Sequence, residues 1–351
     1  MTEETAKRPT LLPKLALSLA SIAFCIAILG LGELYCRYFL DINLRKTSKD
    51  FIAADPAGRI VGNVKNGEGV SFGTDVFSDE NGFRVPQGYI GKTNDRAVLF
   101  LGDSVVFGVG VPEEKTFAGL FRSQMPDVTT YNSGVVGYEL ADYKRVADSF
   151  LPAHNEVKRV YLFYCLNDFQ PPEGSTLAKT EDATLYKSIK HAIGSIFVNL
   201  NEFLGPRSKL YVYITGLTAD PSRRYFEWDL TLFNVNEDRF RETLSPIVEI
   251  DRLVKEHKAQ FVVFLNPYEM QIRERENANF DPQNRIESFL REKGISFVDT
   301  RDRFKGLPTS KDAFLFADPM HLNETGHRIV FDALLDDWNS KGILTPGGKV
   351  Q

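Results

Sequence analysis

A serine follows a short, strongly apolar run in the first third of the chain. Residues 97–101, AVLFL, contain no polar side chain and lead into Gly102-Asp103-Ser104. Such a run is typical of a strand buried on both faces of a parallel sheet, and the serine would then lie at the carboxyl edge of that sheet. A hydroxyl on a glycine-assisted turn there can attack a carbonyl carbon, while the serine N–H faces the developing oxyanion. By itself, Gly-Asp-Ser is equally typical of a turn that merely ends a strand.

Three later segments contain the groups that such a nucleophile needs. Gly137 closes the segment 132–137, NSGVVG, where a glycine allows close backbone approach and an N–H donor. Asn167 follows another apolar run and supplies a side-chain amide. Asp318 precedes His321 by three residues, so its carboxylate can hold the imidazole at Nδ1 while Nε2 takes a proton from the serine. The predicted site is a catalytic triad of Ser104, His321 and Asp318 with oxyanion donors at Ser104, at a glycine of the segment 132–137 and at Asn167.

In order and spacing, these segments resemble the four blocks of the SGNH hydrolase family, also called GDSL-type esterases. The family is named for Ser, Gly, Asn and His, and the matching positions here are Ser104, Gly137, Asn167 and His321. One position departs from the family pattern, because Leu166 stands where a glycine usually precedes the asparagine. The resemblance implies an ester-cleaving serine enzyme.

The elements that must position these residues follow from hydrophobic periodicity. Strands that alternate with helices indicate a parallel sheet with helices on both sides, whose active sites lie at the carboxyl ends of the strands. The resemblance implies, more specifically, a three-layer α/β/α sandwich with a five-stranded parallel sheet. Apolar runs lie at 97–101, 160–165, 261–265 and 295–298, and amphipathic helical patterns at 117–125, 139–150, 237–257, 284–293 and 324–338.

The N-terminal region has the composition of a membrane anchor. Residues 15–32 carry no charge and the apolar character extends to Tyr35, which predicts a spanning helix over 15–35. A cleaved signal peptide is the alternative, although no small-residue cleavage site ends the run cleanly. Basic residues flank the run on both sides, so charge does not orient it. The short tail and the resemblance to anchored bacterial SGNH proteins favour a periplasmic or extracellular catalytic domain.

Changes in composition divide the rest of the chain. The segment after the anchor is rich in Gly, Asp, Asn and Lys and suggests a stalk, and an aromatic-rich insertion later interrupts the alternation of strands and helices. Apolar residues such as Leu185 and Ile189 recur there at helical spacing, which indicates a helix packed on the domain or a lid or membrane-facing surface. The predicted segments are a tail at 1–14, the anchor at 15–35, the stalk at 36–74, the hydrolase domain at 75–340 with its insertion at about 170–236, and a C-terminal tail at 341–351.

Composition disfavours several other function classes. A formal net charge of −5 without a basic, aromatic-interleaved stripe argues against nucleic acid as a partner. Three cysteines without metal or redox spacing argue against zinc or thiol chemistry, so neither metal nor cofactor is expected. Glu114 stands where a phosphate-binding loop would need glycine. The residues interpreted as structural are His154, His191, His257, His327, Asp168 and Asn323.

We therefore predict a serine-dependent ester hydrolase. His321, oriented by Asp318, deprotonates Ser104 for attack on an acyl ester, which the anchor suggests to be an acylated envelope glycan or a lipid. If an alcohol rather than water releases the acyl group, the same triad serves an O-acyltransferase to a cell-surface polysaccharide. The remaining hypothesis is a catalytically idle SGNH-like domain that binds envelope glycan.

Overall fold

The computed structural model describes residues 11–91, 94–171 and 200–340. The strands in these ranges are β1 (Ile52–Ala54), β2 (Ile60–Asn63), β3 (Glu68–Ser71), β4 (Thr74–Ser78), β5 (Arg84–Val85), β6 (Ala97–Leu101), β7 (Thr129–Asn132), β8 (Val157–Tyr164), β9 (Gln260–Leu265) and β10 (Ser296–Asp299). The helices are α1 (Leu11–Phe39), α2 (Ser104–Phe107), α3 (Phe117–Gln124), α4 (Leu140–Phe150), α5 (Lys209–Ala219), α6 (Pro221–Leu232), α7 (Glu237–Glu256), α8 (Glu269–Glu274), α9 (Asp281–Lys293), α10 (Arg301–Lys305) and α11 (Glu324–Ser340).

Five parallel strands form the central sheet in the order β10-β9-β8-β6-β7. Every residue of β6 is buried, as expected for a strand covered on both faces. The strand β7 lacks a continuous apolar run because it is an edge strand with the sequence TTYN. The direction of the connections reverses between β6 and β8, and in open α/β sheets ligand sites lie at such a reversal.

Helices cover the sheet on both faces. On one face α4 packs against α7, and Phe240 of α7 meets Phe289 of α9 with ring centroids 6.3 Å apart. On the other, α3 packs against α11, where Phe121 and Trp338 meet edge to face at 5.0 Å. The predicted α/β fold with a five-stranded parallel sheet is therefore confirmed, and each helix predicted outside the insertion has its counterpart within a few residues.

The segment 36–74 is folded onto the domain, and its description as a stalk needs correction. It contains β1 and β2, which pair antiparallel, and β3, which joins β4 and β5 in a second antiparallel sheet. Phe51 is buried with Val76 against Phe107 and Val109, next to the serine-bearing turn. The strands β1 to β4 are three to five residues long and bury at most two side chains each, so they lack the apolar runs that mark the central strands.

The helix α1 extends further than the predicted 15–35 and is long and apolar enough to cross a membrane. From residue 14 to residue 29 its side chains are exposed, as in a membrane span or a signal sequence. The predicted helix around Leu185 and Ile189 lies outside the described residues, as do most of the N-terminal tail and the C-terminal tail at 341–351. The described part of the insertion contains α5 and α6.

A buried arginine supports the turn that follows α2. The guanidinium of Arg84 is fully buried and donates to the carbonyl oxygens of Phe107, Gly108 and Val111. The Phe107 carbonyl lies at the end of α2 and the other two lie in the turn that follows, where buried acceptors require a partner from outside the local backbone. Arg84 thereby ties the small N-terminal sheet to the end of α2.

We expect Arg84→Met to lower the free energy of unfolding by about 3 kcal/mol, because three buried carbonyls lose their donor. The measurement is the urea unfolding of the detergent-solubilised chain, followed by fluorescence. Arg59→Met is the matched control, since Arg59 is exposed and its ion pair in the described structure is with Asp55 at the surface, so little change in the free energy of unfolding is expected. Equal effects of the two substitutions would contradict the role given to Arg84.

Candidate active site

Ser104 begins α2 directly after the carboxyl end of β6. The preceding Asp103 caps this helix, because its Oδ1 accepts the Val105 N–H at 2.9 Å. Gly102 leaves no room for a side chain, since a Cβ would lie 2.2 Å from Cγ2 of Val106. The short turn therefore places the Ser104 hydroxyl at the carboxyl edge of the sheet, where the side chain is 5% exposed.

His321 and Asp318 lie in one tight turn and approach Ser104 from the far end of the chain. His321 Nε2 is 2.8 Å from Ser104 Oγ, and His321 Nδ1 is 2.8 Å from Asp318 Oδ2. The other carboxylate oxygen of Asp318 accepts the N–H groups of Met320 at 3.1 Å and His321 at 2.8 Å. The three side chains predicted to act together are thus brought into one continuous chain of hydrogen bonds.

Burial and charge act in opposite directions on this histidine and aspartate. Burial alone would raise the pKa of Asp318, but the imidazole and the N–H donors lower that pKa below its ordinary value. Burial alone would lower the pKa of His321, yet the Asp318 carboxylate raises that pKa above its ordinary value. An ionised Asp318 accepts the Nδ1 proton, so the lone pair of Nε2 faces the Ser104 hydroxyl. This is the protonation pattern of a general base.

The sequence matches the model of the GDSL-like lipase/acylhydrolase family over residues 100–329. This span includes the serine turn, the central sheet and the histidine turn. The chain belongs to this family. It is therefore an enzyme that hydrolyses ester bonds.

Three solved structures illustrate the relatives of this esterase. A lipolytic G-D-S-L family protein from Veillonella parvula DSM 2008 is 13% identical, with a TM-score of 0.41 over 70% of this chain and 99% of its own. A catalytic mutant of an acetylxylan esterase from Geobacillus stearothermophilus is 16% identical, with a TM-score of 0.41 over 70% and 95%. A GDSL-like lipase from Bacteroides thetaiotaomicron VPI-5482 is 14% identical, with a TM-score of 0.38 over 69% and 87%. No curated protein matches the sequence.

Two backbone N–H groups of the esterase are candidates for stabilising an oxyanion. Within the described residues, the N–H groups of Ser104 and Gly137 have no hydrogen-bond acceptor. Gly137 adopts a φ of +84°, where glycine is favoured, and a Cβ there would lie 3.0 Å from Cδ1 of Ile60. Both groups are therefore available to a substrate.

Asn167, the predicted side-chain donor, has an unexpected partner. Its Nδ2 donates to Oδ2 of Asp103 at 2.8 Å, and the Ser104 hydroxyl lies 3.3 Å from the same oxygen. An amide nitrogen carries two hydrogens, so one remains for another acceptor. Leu166, in the place of the family's usual glycine, is buried in the short turn Leu166–Asp168 and contributes only apolar packing.

Two residues near Asn167, namely Tyr268 and Asp229, were not predicted from the sequence. The Tyr268 hydroxyl is 2.5 Å from Oδ2 of Asp229 and 3.4 Å from Oδ1 of Asn167. Burial raises the pKa of Asp229 to about 6, although the Tyr268 hydrogen bond opposes the shift. Tyr268 follows β9, so the rule that sites lie after strands would have found it. Asp229 belongs to the insertion and carried no sequence signal.

An aromatic side chain from the N-terminal sheet forms a wall of the site. The Phe72 ring meets the His321 ring edge to face, with centroids 5.8 Å apart. Phe72 and Gly73 occupy the two-residue turn between β3 and β4 with φ values of +46° and +79°. Positive φ at both positions is the requirement of the tight hairpin turn that matches strand twist. The segment predicted as a stalk thus contributes directly to the surroundings of the histidine.

The residues interpreted as structural make local contacts. His327 is buried, accepts the Phe117 N–H through Nδ1 at 3.3 Å, and has its pKa lowered to about 3 by burial, so it is neutral. His191 lies outside the described residues. The remaining contacts join His154 to the Phe150 carbonyl, His257 to the His154 carbonyl, Asp168 to the Tyr143 hydroxyl and Asn323 to the Gly326 N–H.

Neither a cluster of potential metal ligands nor the size of a cavity indicates a different functional site in the described part of the chain. Across the described ranges, no three His, Cys, Asp or Glu side chains are grouped as metal ligands would be. A cavity of about 870 Å³ lies beside Asp79, Tyr89 and Tyr131, but neither Ser104 nor His321 lines it. The candidate site is therefore indicated by the hydrogen-bonded side chains at Ser104 and not by the volume of this cavity.

We expect kcat/KM for p-nitrophenyl acetate to fall as pH decreases through the His321 pKa, with the midpoint above the ordinary pKa of a histidine, because only neutral imidazole accepts the serine proton. Asp318→Asn removes the charge that raises this pKa, so the midpoint moves to lower pH. In the weakly active Asp318→Asn variant, the midpoint is measured from the rate of fluorophosphonate labelling as a function of pH. Asp302→Asn, at an exposed carboxylate, should leave the midpoint unchanged. An unshifted midpoint in Asp318→Asn would refute the pairing.

We expect Asn167→Ala to lower kcat by about 100-fold and Tyr268→Phe by about tenfold, with KM nearly constant, because Tyr268 acts by orienting the amide. The double variant should then be no slower than Asn167→Ala alone. Tyr164→Phe is the matched control, since that buried hydroxyl has no partner among the described residues. Additive losses of kcat in the double variant would show that Tyr268 stabilises the fold and does not act by orienting Asn167.

Proposed function

We propose that Ser104 is the nucleophile of the esterase, with His321 as general base and Asp318 as its orienting carboxylate. The observation that carries the proposal is the 2.8 Å contact between Ser104 Oγ and His321 Nε2, continued to Asp318 at the same distance. Few structural roles require a hydroxyl, an imidazole and an ionised carboxylate in this order.

The first half of the reaction forms an acyl-enzyme. His321 Nε2 takes the hydroxyl proton as Ser104 Oγ bonds to the ester carbonyl carbon, and the carbonyl oxygen becomes an oxyanion. The imidazolium then returns the proton to the leaving alkoxide as the ester C–O bond breaks. Ser104 remains acylated and the alcohol departs. The Asp318 carboxylate stabilises the imidazolium throughout without itself taking a proton.

Water completes the reaction by the reverse sequence. His321 deprotonates a water molecule that attacks the acyl-enzyme, and the proton returns to Ser104 Oγ as the carboxylic acid leaves. In both halves the N–H groups of Ser104 and Gly137 and the second amide hydrogen of Asn167 are the proposed oxyanion donors. Pre-aligned donors of this kind are worth about 3 kcal/mol each in the transition state.

The proposed substrate is an acyl ester of the cell envelope, either an acylated glycan or a lipid. Its support is the helix α1, which has the length and composition of a membrane span and lies in the same chain as the site. We place the catalytic domain on the periplasmic or extracellular side of that membrane. An esterase tethered there meets substrates that are themselves bound to the envelope.

We expect Ser104→Ala to abolish labelling by a fluorophosphonate probe and to lower kcat for p-nitrophenyl acetate by at least about 1,000-fold, because the hydroxyl that forms the acyl-enzyme is gone. Ser149→Ala is the matched control, since its hydroxyl bonds only to its own helix. Retention of labelling or turnover in Ser104→Ala would assign the nucleophile elsewhere. Methanol added as a competing acceptor would reveal acyl transfer as methyl acetate.

A further inference from the structure

The helix α5 has an apolar stripe that faces solvent. Residues 210–219 carry no charge, in a chain in which a quarter of the residues are charged. Leu210, Ile214 and Leu217 follow the spacing of one helical face, and Ile214 and Leu217 are 48% and 57% exposed. A surface helix of a water-soluble domain usually presents charged or polar side chains on its exposed face. This stripe therefore requires an apolar or interfacial environment.

The start of α5 is fastened to the end of the apolar helix α1. The carboxylate of Glu33 accepts the Ser208 hydroxyl at 2.8 Å and the N–H groups of Lys209 at 3.2 Å and Leu210 at 2.9 Å. Gly32 allows this approach, because a Cβ there would lie 3.1 Å from Cδ2 of Leu210. The apolar surface of α1 thus continues onto the stripe of α5 through Leu210.

Basic side chains and an exposed aromatic ring border this junction. The Arg37 guanidinium donates to the Arg207 carbonyl at 2.7 Å and also forms an ion pair with Glu33. The Arg207 guanidinium lies 4.5 Å from the centre of the Phe203 ring, which is 59% exposed. Positive charge beside exposed apolar and aromatic residues is complementary to an anionic lipid surface.

We propose that the α5 stripe, defined as Leu210, Ile214 and Leu217, enters the headgroup region of the bilayer that α1 crosses, with Phe203 and Arg207 at its border. The occupant of this surface is phospholipid, and anionic headgroups strengthen the contact. The inference rests on the proposal that α1 remains in the chain as a membrane span. It adds a second membrane contact, which holds the domain in one orientation.

This contact bears directly on the catalytic turn. Beside the stripe, α5 packs against the segment before Asp318, where the rings of Tyr213 and Phe316 stack with centroids 5.6 Å apart. Gly216 closes the same interface, since a Cβ there would lie 2.6 Å from the Ala317 side chain. The helix α5 therefore contacts the segment that leads into the turn of His321. A docked α5 positions the site to receive esters presented at the membrane surface.

The test uses the full chain in nanodiscs with the environment-sensitive fluorophore NBD at Leu217→Cys, in a Cys25→Ser background because Cys36 and Cys165 are buried. We expect a blue-shifted emission and at least about twofold quenching by nitroxide-headgroup lipid, greater with anionic than with zwitterionic lipid. The matched control is Ile90→Cys, an apolar side chain that is 86% exposed but lies outside the stripe. Its label should show neither effect.

Three results would overturn the inference. The Leu217 label behaving like the Ile90 label would mean that α5 stays in water, and a blue shift without quenching would mean that protein covers the stripe. If the full chain does not remain in nanodiscs after high-salt washing, the membrane span of α1 and the docking of α5 are both rejected. Ile214→Glu in the labelled chain should abolish the quenching while fluorophosphonate labelling in detergent stays unchanged, which separates loss of docking from loss of the active site.

Discussion

The hydrogen bond between Ser104 and His321 joins residues 217 positions apart, and much of the architecture serves to make it. The serine needs the rigid end of a central strand, because a strand buried on both faces leaves its turn little freedom. The histidine needs a separate turn just before α11. This turn is closed by the Leu315 N–H, which donates to the His321 carbonyl at 2.9 Å. A small shift of either turn would break a contact that tolerates only a few tenths of an ångström.

Segments outside the central sheet contact both the serine turn and the histidine turn. Phe72 of the N-terminal hairpin lies against the imidazole, and Arg84 fastens the loop that follows the serine. From the insertion, the Ser222 hydroxyl donates to the Asp318 carbonyl at 3.0 Å. The α/β core supplies the catalytic groups, and the flanking segments restrict their motion. The activity of such an enzyme is therefore sensitive to positions far from its signature motifs.

Patterns of burial account for what the sequence predicted and what it missed. The strands β6, β8 and β9 are covered on both faces, so each leaves a continuous apolar run that is readable without a structure. The edge strand β7 buries polar side chains and the short N-terminal strands bury few side chains of any kind, so neither leaves such a run. The family motifs likewise predicted Ser104, Asp318 and His321, which lie in one chain of hydrogen bonds, whereas the link from Asn167 to Asp103 depends on side-chain directions that spacing does not encode.

One carboxylate near the end of α1 has a consequence for the maturation of the chain. Glu33 caps a helix that begins about 175 residues later, and Arg37 lies beside it with a 2.7 Å ion pair. Proteolytic removal of α1 with this residue would leave the hydroxyl and two N–H donors at the start of α5 without their acceptor. The start of α5 thus depends for its hydrogen-bond acceptor on a residue of the N-terminal helix.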